Sequence, residues 1–322
     1  MQSVCAWLKE GYAVWYVTVI KTWGTSPRPV GSLFAYNPVT DEVSGSLSGG
    51  CVEQDLIDEL IQLGNATRPF KKLYGVNEQE RSQFLLPCGG RLELVVEYVA
   101  TDSSYLEHFS EIAACLRNRN SIIRSVNLDS GRIALLHADP SELRENVSLN
   151  HQETDLRHRI GPQYKLLILG VGDITDYLVS LAISAEFSVT VCDPREAFLK
   201  RSGSSDRLSN QHVERLACLP DDLIQERFSD PCCAVVALAH DPRVDDLALM
   251  AALDSDAFFV GAIGSRVTCS KRLDRLSSLG MASGSLAQLH APIGLPIHSQ
   301  TPFEIAISIM AQLIKKRHLH SV

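Results

Sequence analysis

The stretch Lys165-Leu166-Leu167-Ile168-Leu169-Gly170-Val171-Gly172-Asp173-Ile174-Thr175 runs from a nearly continuous apolar segment straight into a glycine turn. An apolar run of this length is what a strand buried on both faces of a parallel sheet requires. Leu178, Leu181 and Ile183 continue it as a helix, and Ser188-Val189-Thr190-Val191-Cys192 returns as a second strand with Asp193 at its carboxyl end. Strand, glycine turn, helix, strand and acidic residue is the order of a dinucleotide-binding unit. Thr175 stands where such a unit usually has its third glycine.

Working outward, apolar strands over 233–239 and 257–263 extend the sheet, and an amphipathic helix over 302–316 ends it. The second half, 164–322, is therefore expected to be a Rossmann-like, doubly wound parallel sheet, within an α/β chain. Ligands of such sheets gather at the carboxyl ends of the strands. That rule gathers Gly170, Gly172, Asp173, Asp193, His240, Asp241, Gly264, Ser265 and Arg266 as candidates for one crevice. Backbone amides at Gly264-Ser265-Arg266 beside a guanidinium suit a phosphate, whereas His240 and Asp241 serve equally well as caps of the next helix. Residues 291–297 read either as a cover for the crevice or as a return to the sheet.

The first half reads as an α+β domain over 1–138. Strands are expected at 12–20, 33–36, 42–47, 71–76, 91–99, 121–128 and 131–136, with helices from 52 to 63 and from 105 to 118. Residues 139–163 turn polar and lose periodicity, with Pro140, Asn146, Asn150 and Pro162, and are read as a linker.

Two cysteines lie against glycine pairs in mirror order, Gly49-Gly50-Cys51 and Cys88-Gly89-Gly90. Glycine has no Cβ, so a ligand can approach such a thiol closely. Cys51 falls at the start of the 52–63 helix, where unpaired N–H groups favour a thiolate. The plainer reading is a small buried residue beside a turn. Glu53, in the first turn, opposes the thiolate if it faces the sulfur.

The 322 residues carry 45% hydrophobic residues and a formal charge of −8, which argues against a general nucleic-acid binder. No run of eighteen apolar residues and no signal-like amino terminus occurs, so no membrane partner and a cytoplasmic location are expected. Nine cysteines, odd in number and without a C-x-x-C, fit reduced thiols rather than a disulfide framework or a zinc ribbon.

Taken in order, GTSPRPVGSLFAY, GSLSGGCVEQDL, LPCGG, LLILGVGDIT, VCDPR, LAHDP, FVGAIGSR, APIGLPI and TPFEIAISI resemble the xanthine dehydrogenase accessory factor family, XdhC/CoxI. The resemblance implies a dimeric chaperone without turnover of its own. Such a chaperone binds the molybdenum cofactor, as molybdopterin or its cytosine dinucleotide form, and supports its sulfuration by a cysteine desulfurase. It then delivers the cofactor to the large subunit of a molybdenum hydroxylase. Carried onto this chain, Cys51 and Cys88 become candidate molybdenum contacts. Arg28, with Gly49, Gly50, Gly89 and Gly90, faces phosphate or pterin, and the Rossmann crevice takes a nucleotide. The rival reading is an NAD(P)-dependent oxidoreductase with Cys51 as a redox thiol and Asp193 on the ribose.

Overall fold

Leu166, Leu167, Ile168 and Leu169 are all fully buried, as their strand, β10 (Lys165–Leu169), demands. The computed structural model describes residues 1–24, 28–48, 50–76, 90–136, 146–197, 199, 213–239 and 242–320. It divides into two units, Met1–Pro162 and Gln163–Val322.

In the first unit, helix α1 (Gln2–Lys9) precedes β1 (Val14–Trp23), β2 (Leu33–Asn37), β3 (Glu42–Gly45), helix α2 (Cys51–Leu63), β4 (Phe70–Tyr74) and β5 (Arg91–Val99). The five strands form a sheet in the order β3-β2-β1-β5-β4, every pairing antiparallel. Strand alternation sends Trp15, Val17 and Val19 to one face, where Val52, Leu56 and Leu60 of α2 cover them. It sends Val14 and Tyr16 to the other, against α1 and Phe109 and Ile112 of α3 (Ser103–Arg117). Each of the three fully buried α2 side chains stabilises this packing by roughly 1.5–3 kcal/mol, which holds this face of the helix on the sheet.

A second antiparallel sheet, ordered β7-β6-β9-β8, combines β6 (Ile122–Asn127), β7 (Ile133–Leu136), β8 (Val147–Leu149) and β9 (Asp155–Ile160). The expected linker over 139–163 is thus corrected. Among its described residues, β8 and β9 belong to the first unit, with β9 hydrogen-bonded along β6 from Ile122↔Ile160 to Asn127↔Asp155.

The second unit is a six-stranded parallel sheet. After β10 come helix α4 (Asp173–Ser184), β11 (Ser188–Cys192), β12 (Glu214–Leu216), α5 (Pro220–Arg227) and β13 (Cys233–Ala237). Helix α6 (Pro242–Leu253), β14 (Phe259–Ala262), α7 (Arg266–Ser278), α8 (Ser283–Leu286), β15 (Leu289–His290) and α9 (Pro302–His320) complete it. The order β12-β11-β10-β13-β14-β15 is the doubly wound order, reversing direction between β10 and β13. One face is sealed by α4 and α9 through Leu178, Ala182, Ile309 and Leu313, the other by α5 and α6 through Leu223, Ile224 and Leu249. Residues 291–297 follow β15 as a return to the sheet: Ile293 N–H donates to Ala262 and Gly294 N–H to Gln312 Oε1 of α9. Among the described residues, no helix is long and apolar enough to cross a membrane.

Candidate functional site

Helix α2 begins at Cys51, with Gly50 as its N-cap. Gly50 has φ +145° and ψ −61°, a conformation that side chains resist, and a Cβ built on it meets nothing within 4 Å. The glycine is there for its backbone angle, and its outer face is open. The Gly50 carbonyl accepts the first helical bond, from Gln54 N–H.

Glu53 shapes the loop in front. One carboxylate oxygen accepts from Ser46 Oγ at 2.8 Å, Leu47 N–H at 2.8 Å and Ser48 N–H at 2.9 Å. The other accepts from Ser48 Oγ at 2.5 Å and Gly50 N–H at 2.9 Å. The side chain therefore folds back over residues 46–50. Its role went unread in the sequence, although a glutamate at the third helical position is the known signal for a carboxylate that reaches back to the N-cap amide. Loop and helix start are locked together by five charge-assisted hydrogen bonds, so the position at which Cys51 leaves the turn is fixed by Glu53.

Of the other residues expected here, Gly49, Cys88 and Gly89 lie outside the described residues. Arg28 is half-buried, and Gly90 is buried immediately before β5. Near Arg28 the chain is pinned to β1: Gly31 N–H donates to Val19 and Val19 N–H to Ser32. Gly31, at φ +90°, leaves only 3.3 Å between a built Cβ and His158 Nε2 of β9, so the loop lies close against that strand. A groove of about 840 Å³ beside Leu63, Asn65 and Arg68 sits at the opposite end of α2.

In the second unit the strand ends bring several of the expected residues to one edge of the sheet. Gly170, at φ +96°, presses against the chain just past the end of β13, and its built Cβ falls 2.5 Å from Ala239 Cα. The close approach that glycine permits holds the two strands of the reversal point together. Thr175 is buried and donates its hydroxyl to the Gly170 carbonyl at 2.9 Å, tying α4 to the turn in place of the missing glycine contact. Gly172 is extended, at φ 170°, and its built Cβ meets nothing within 4 Å. Any residue fits this backbone, so glycine here keeps the amino end of α4, with Asp173 exposed at its first position, approachable from outside.

Asp193 is fully buried and already engaged. Arg195 grips it with Nε on Oδ1 at 2.9 Å and Nη2 on Oδ2 at 2.8 Å, and the backbone N–H groups of Arg195 and Val171 add two more bonds. Burial pushes its carboxyl up, but the Arg195 and Val171 hydrogen bonds outweigh this and hold it below the ordinary carboxylate range. Its carboxylate thus organises the glycine turn. Ser265 caps α7, accepting from Thr268 N–H at 3.1 Å, and Arg266 is exposed at the first helical position. Gly264 precedes them at φ +157°. His240 and Asp241 lie outside the described residues. Among the described residues, no group of three or more His, Cys, Asp or Glu side chains has the geometry of a metal site.

Two family models match this chain: XdhC Rossmann domain over residues 166–313, and XdhC and CoxI family over residues 7–74. It is 23% identical over 318 residues to a probable xanthine dehydrogenase component of Bacillus subtilis (strain 168), covering 93% of this chain and 92% of that one. It is 24% identical over 310 residues to the molybdenum cofactor insertion chaperone PaoD of Escherichia coli (strain K12), covering 96% and 85%. A crystal structure described as a xanthine dehydrogenase from Bacillus halodurans superposes with a TM-score of 0.73 at 23% identity, over 98% of this chain and 95% of that one, and shows the same fold. A glycine–cysteine helix start in the first unit and a doubly wound sheet in the second, each matched by its own model, make this chain a member of the XdhC and CoxI family.

Proposed function

We propose that this protein is a molybdenum cofactor chaperone that receives the cofactor, supports its sulfuration and inserts it into a hydroxylase of the xanthine dehydrogenase or aldehyde oxidase type. The cofactor is cargo in this reading, and the enzyme partners are a cysteine desulfurase and the large subunit of the hydroxylase. The observation that carries it is the Glu53 brace. Five hydrogen bonds fix a short glycine loop and leave an open backbone face beside the first residue of α2, Cys51.

The residues present fit such a cargo. A thiol at a helix amino terminus offers a soft contact for molybdenum, with Cys88 as the second. The approachable Gly50 face leaves room for the pterin; in this reading Gly49, Gly89 and Gly90 of the two glycine–cysteine motifs join it, with Arg28 as the charge for a phosphate. The second unit offers the amino end of α4 at Gly172 and Asp173, and the turn at Gly264, Ser265 and Arg266, for the nucleotide of a dinucleotide form. His240 and Asp241 belong to the same proposed crevice. Asp193 takes part by holding Val171 rather than by meeting a ribose. A homodimer held in the cytoplasm completes the proposal.

The test is delivery. A cofactor-free hydroxylase is mixed with this protein purified from cells that make the cofactor, and turnover is followed. Activation by wild type and not by Cys51→Ala supports the reading. Activation no greater than that produced by protein from cofactor-deficient cells overturns it.

A further inference from the structure

The sulfurs of Cys192 and Cys218 touch. Cys192 is the last residue of β11, in parallel register with Leu216 of β12, and Cys218 follows two residues after that partner. Their Sγ atoms are 3.7 Å apart, van der Waals contact, and the Cys192 thiol donates to the Cys218 carbonyl at 3.4 Å. Elsewhere in the chain, Cys5 faces the Phe109 carbonyl and Cys233 the Asp230 carboxylate.

We propose that Cys192 and Cys218 are a redox pair that closes to a disulfide when the protein meets a hydroperoxide. A disulfide needs sulfurs about 2.05 Å apart, so the pair has about 1.7 Å to close. The connection between β12 and α5, which carries Cys218 and the exposed Leu219, supplies that movement while β11 stays fixed in the sheet. Cys218 is half-buried and Cys192 only 1% exposed, which assigns the order of events. Cys218 attacks the hydroperoxide, breaking its O–O bond, and becomes a sulfenic acid as an alcohol or water departs. The Cys192 sulfur then displaces the hydroxyl of that sulfenic acid, its proton leaving with the hydroxyl as water. Two thiols are oxidised by two electrons and one peroxide is reduced.

The bond ties the end of β11 to the β12–α5 connection. Asp193, which follows Cys192 directly and accepts from Val171 N–H of the glycine turn, stays with β11, so the change on oxidation falls on the connection that carries Cys218. The inference does not depend on the cargo proposed above.

The experiment treats reduced full-length protein with an equimolar amount of hydrogen peroxide, alkylates the remaining thiols and maps the peptides by mass spectrometry. The expected product is a peptide pair joined through Cys192 and Cys218, lighter by two hydrogens and released by dithiothreitol. In Cys192→Ser, a cyclic 1,3-dione should instead trap Cys218 as sulfenic acid. Wild-type Cys192 and Cys218 alkylated as fully as in untreated protein, or Cys218 joined to another cysteine, would overturn the proposal, and neither result requires a variant to fold.

Discussion

The N–H of Gly50 points at the carboxylate of Glu53, 2.9 Å away, so the residue in front of α2 and the third residue inside it close one ring. Without that carboxylate, the amides of Leu47, Ser48 and Gly50 lose a shared charged acceptor. Glu53 is half-buried, so the loss is set at about 2 kcal/mol, in the range for hydrogen bonds to charged groups. Glu53→Ala should therefore speed amide exchange at Leu47, Ser48 and Gly50 by about 30-fold, read by hydrogen exchange. Unchanged exchange would show that the loop holds its shape without the brace.

Three glycine-to-alanine variants should rank by their surroundings. Gly170→Ala combines a positive φ with a Cβ driven into Ala239, and should cost ~3 kcal/mol or more. Gly50→Ala meets only the backbone penalty, about 1–2 kcal/mol. Gly172→Ala, extended and open, should stay within about 0.5 kcal/mol of wild type. Chemical denaturation of the three variants checks the order, and a Gly172→Ala protein less stable than Gly50→Ala would refute it.

Acid should weaken the first unit earlier than carboxylate titration alone requires. Arg124 forks onto Glu97 at 2.7 and 2.8 Å and donates Nε–H to His108 Nε2 at 3.0 Å, with all three side chains buried. Burial, then the charge of Arg124, pushes both His108 and His158 down to about 3 from an ordinary value of 6.5. Between those values the unfolded chain binds protons that the folded one refuses. The histidine contribution is present above pH 6.5 and is lost as pH falls through that window, by up to about 1.4 kcal/mol per pH unit for each residue. Urea midpoints measured from about pH 7 to 5 should show a shallower slope in the His108→Gln and His158→Gln double variant, and an equal slope would contradict the assignment.

The Arg195 fork on Asp193 bears on the oxidoreductase alternative. A carboxylate with four internal donors has little capacity left for ribose hydroxyls, so titration with NAD should give no saturable binding at millimolar levels. Asp193→Ala should lower stability by about 1–3 kcal/mol by removing the buried acceptor of the Val171 and Arg195 backbone N–H groups. Tight NAD binding abolished by Asp193→Ala would revive the alternative.

The parallel sheet was legible in the sequence because each of its central strands is buried on both faces and reads as an unbroken apolar run. Strand β9 was not. Its inward positions are Leu156, His158 and Ile160, and a buried histidine between arginines reads as a polar linker. Helix α1, eight residues long and without a capping side chain, left no boundary signal. At the candidate sites, the start of α2 at the Gly50-Cys51 step was visible in the apolar spacing. The direction of Glu53 and the inward grip of Arg195 on Asp193 were not, since both are decided by turn geometry across two to seven residues rather than by periodicity.

The central claim is that this chain holds the molybdenum cofactor through its first-unit thiols. Protein purified from cells that make the cofactor should release fluorescent pterin on oxidation, close to one equivalent per chain for wild type. The Cys51→Ala and Cys88→Ala double variant should release at most a tenth of that while keeping wild-type far-ultraviolet circular dichroism. Pterin absent from wild type, or undiminished in the double variant, would contradict the account.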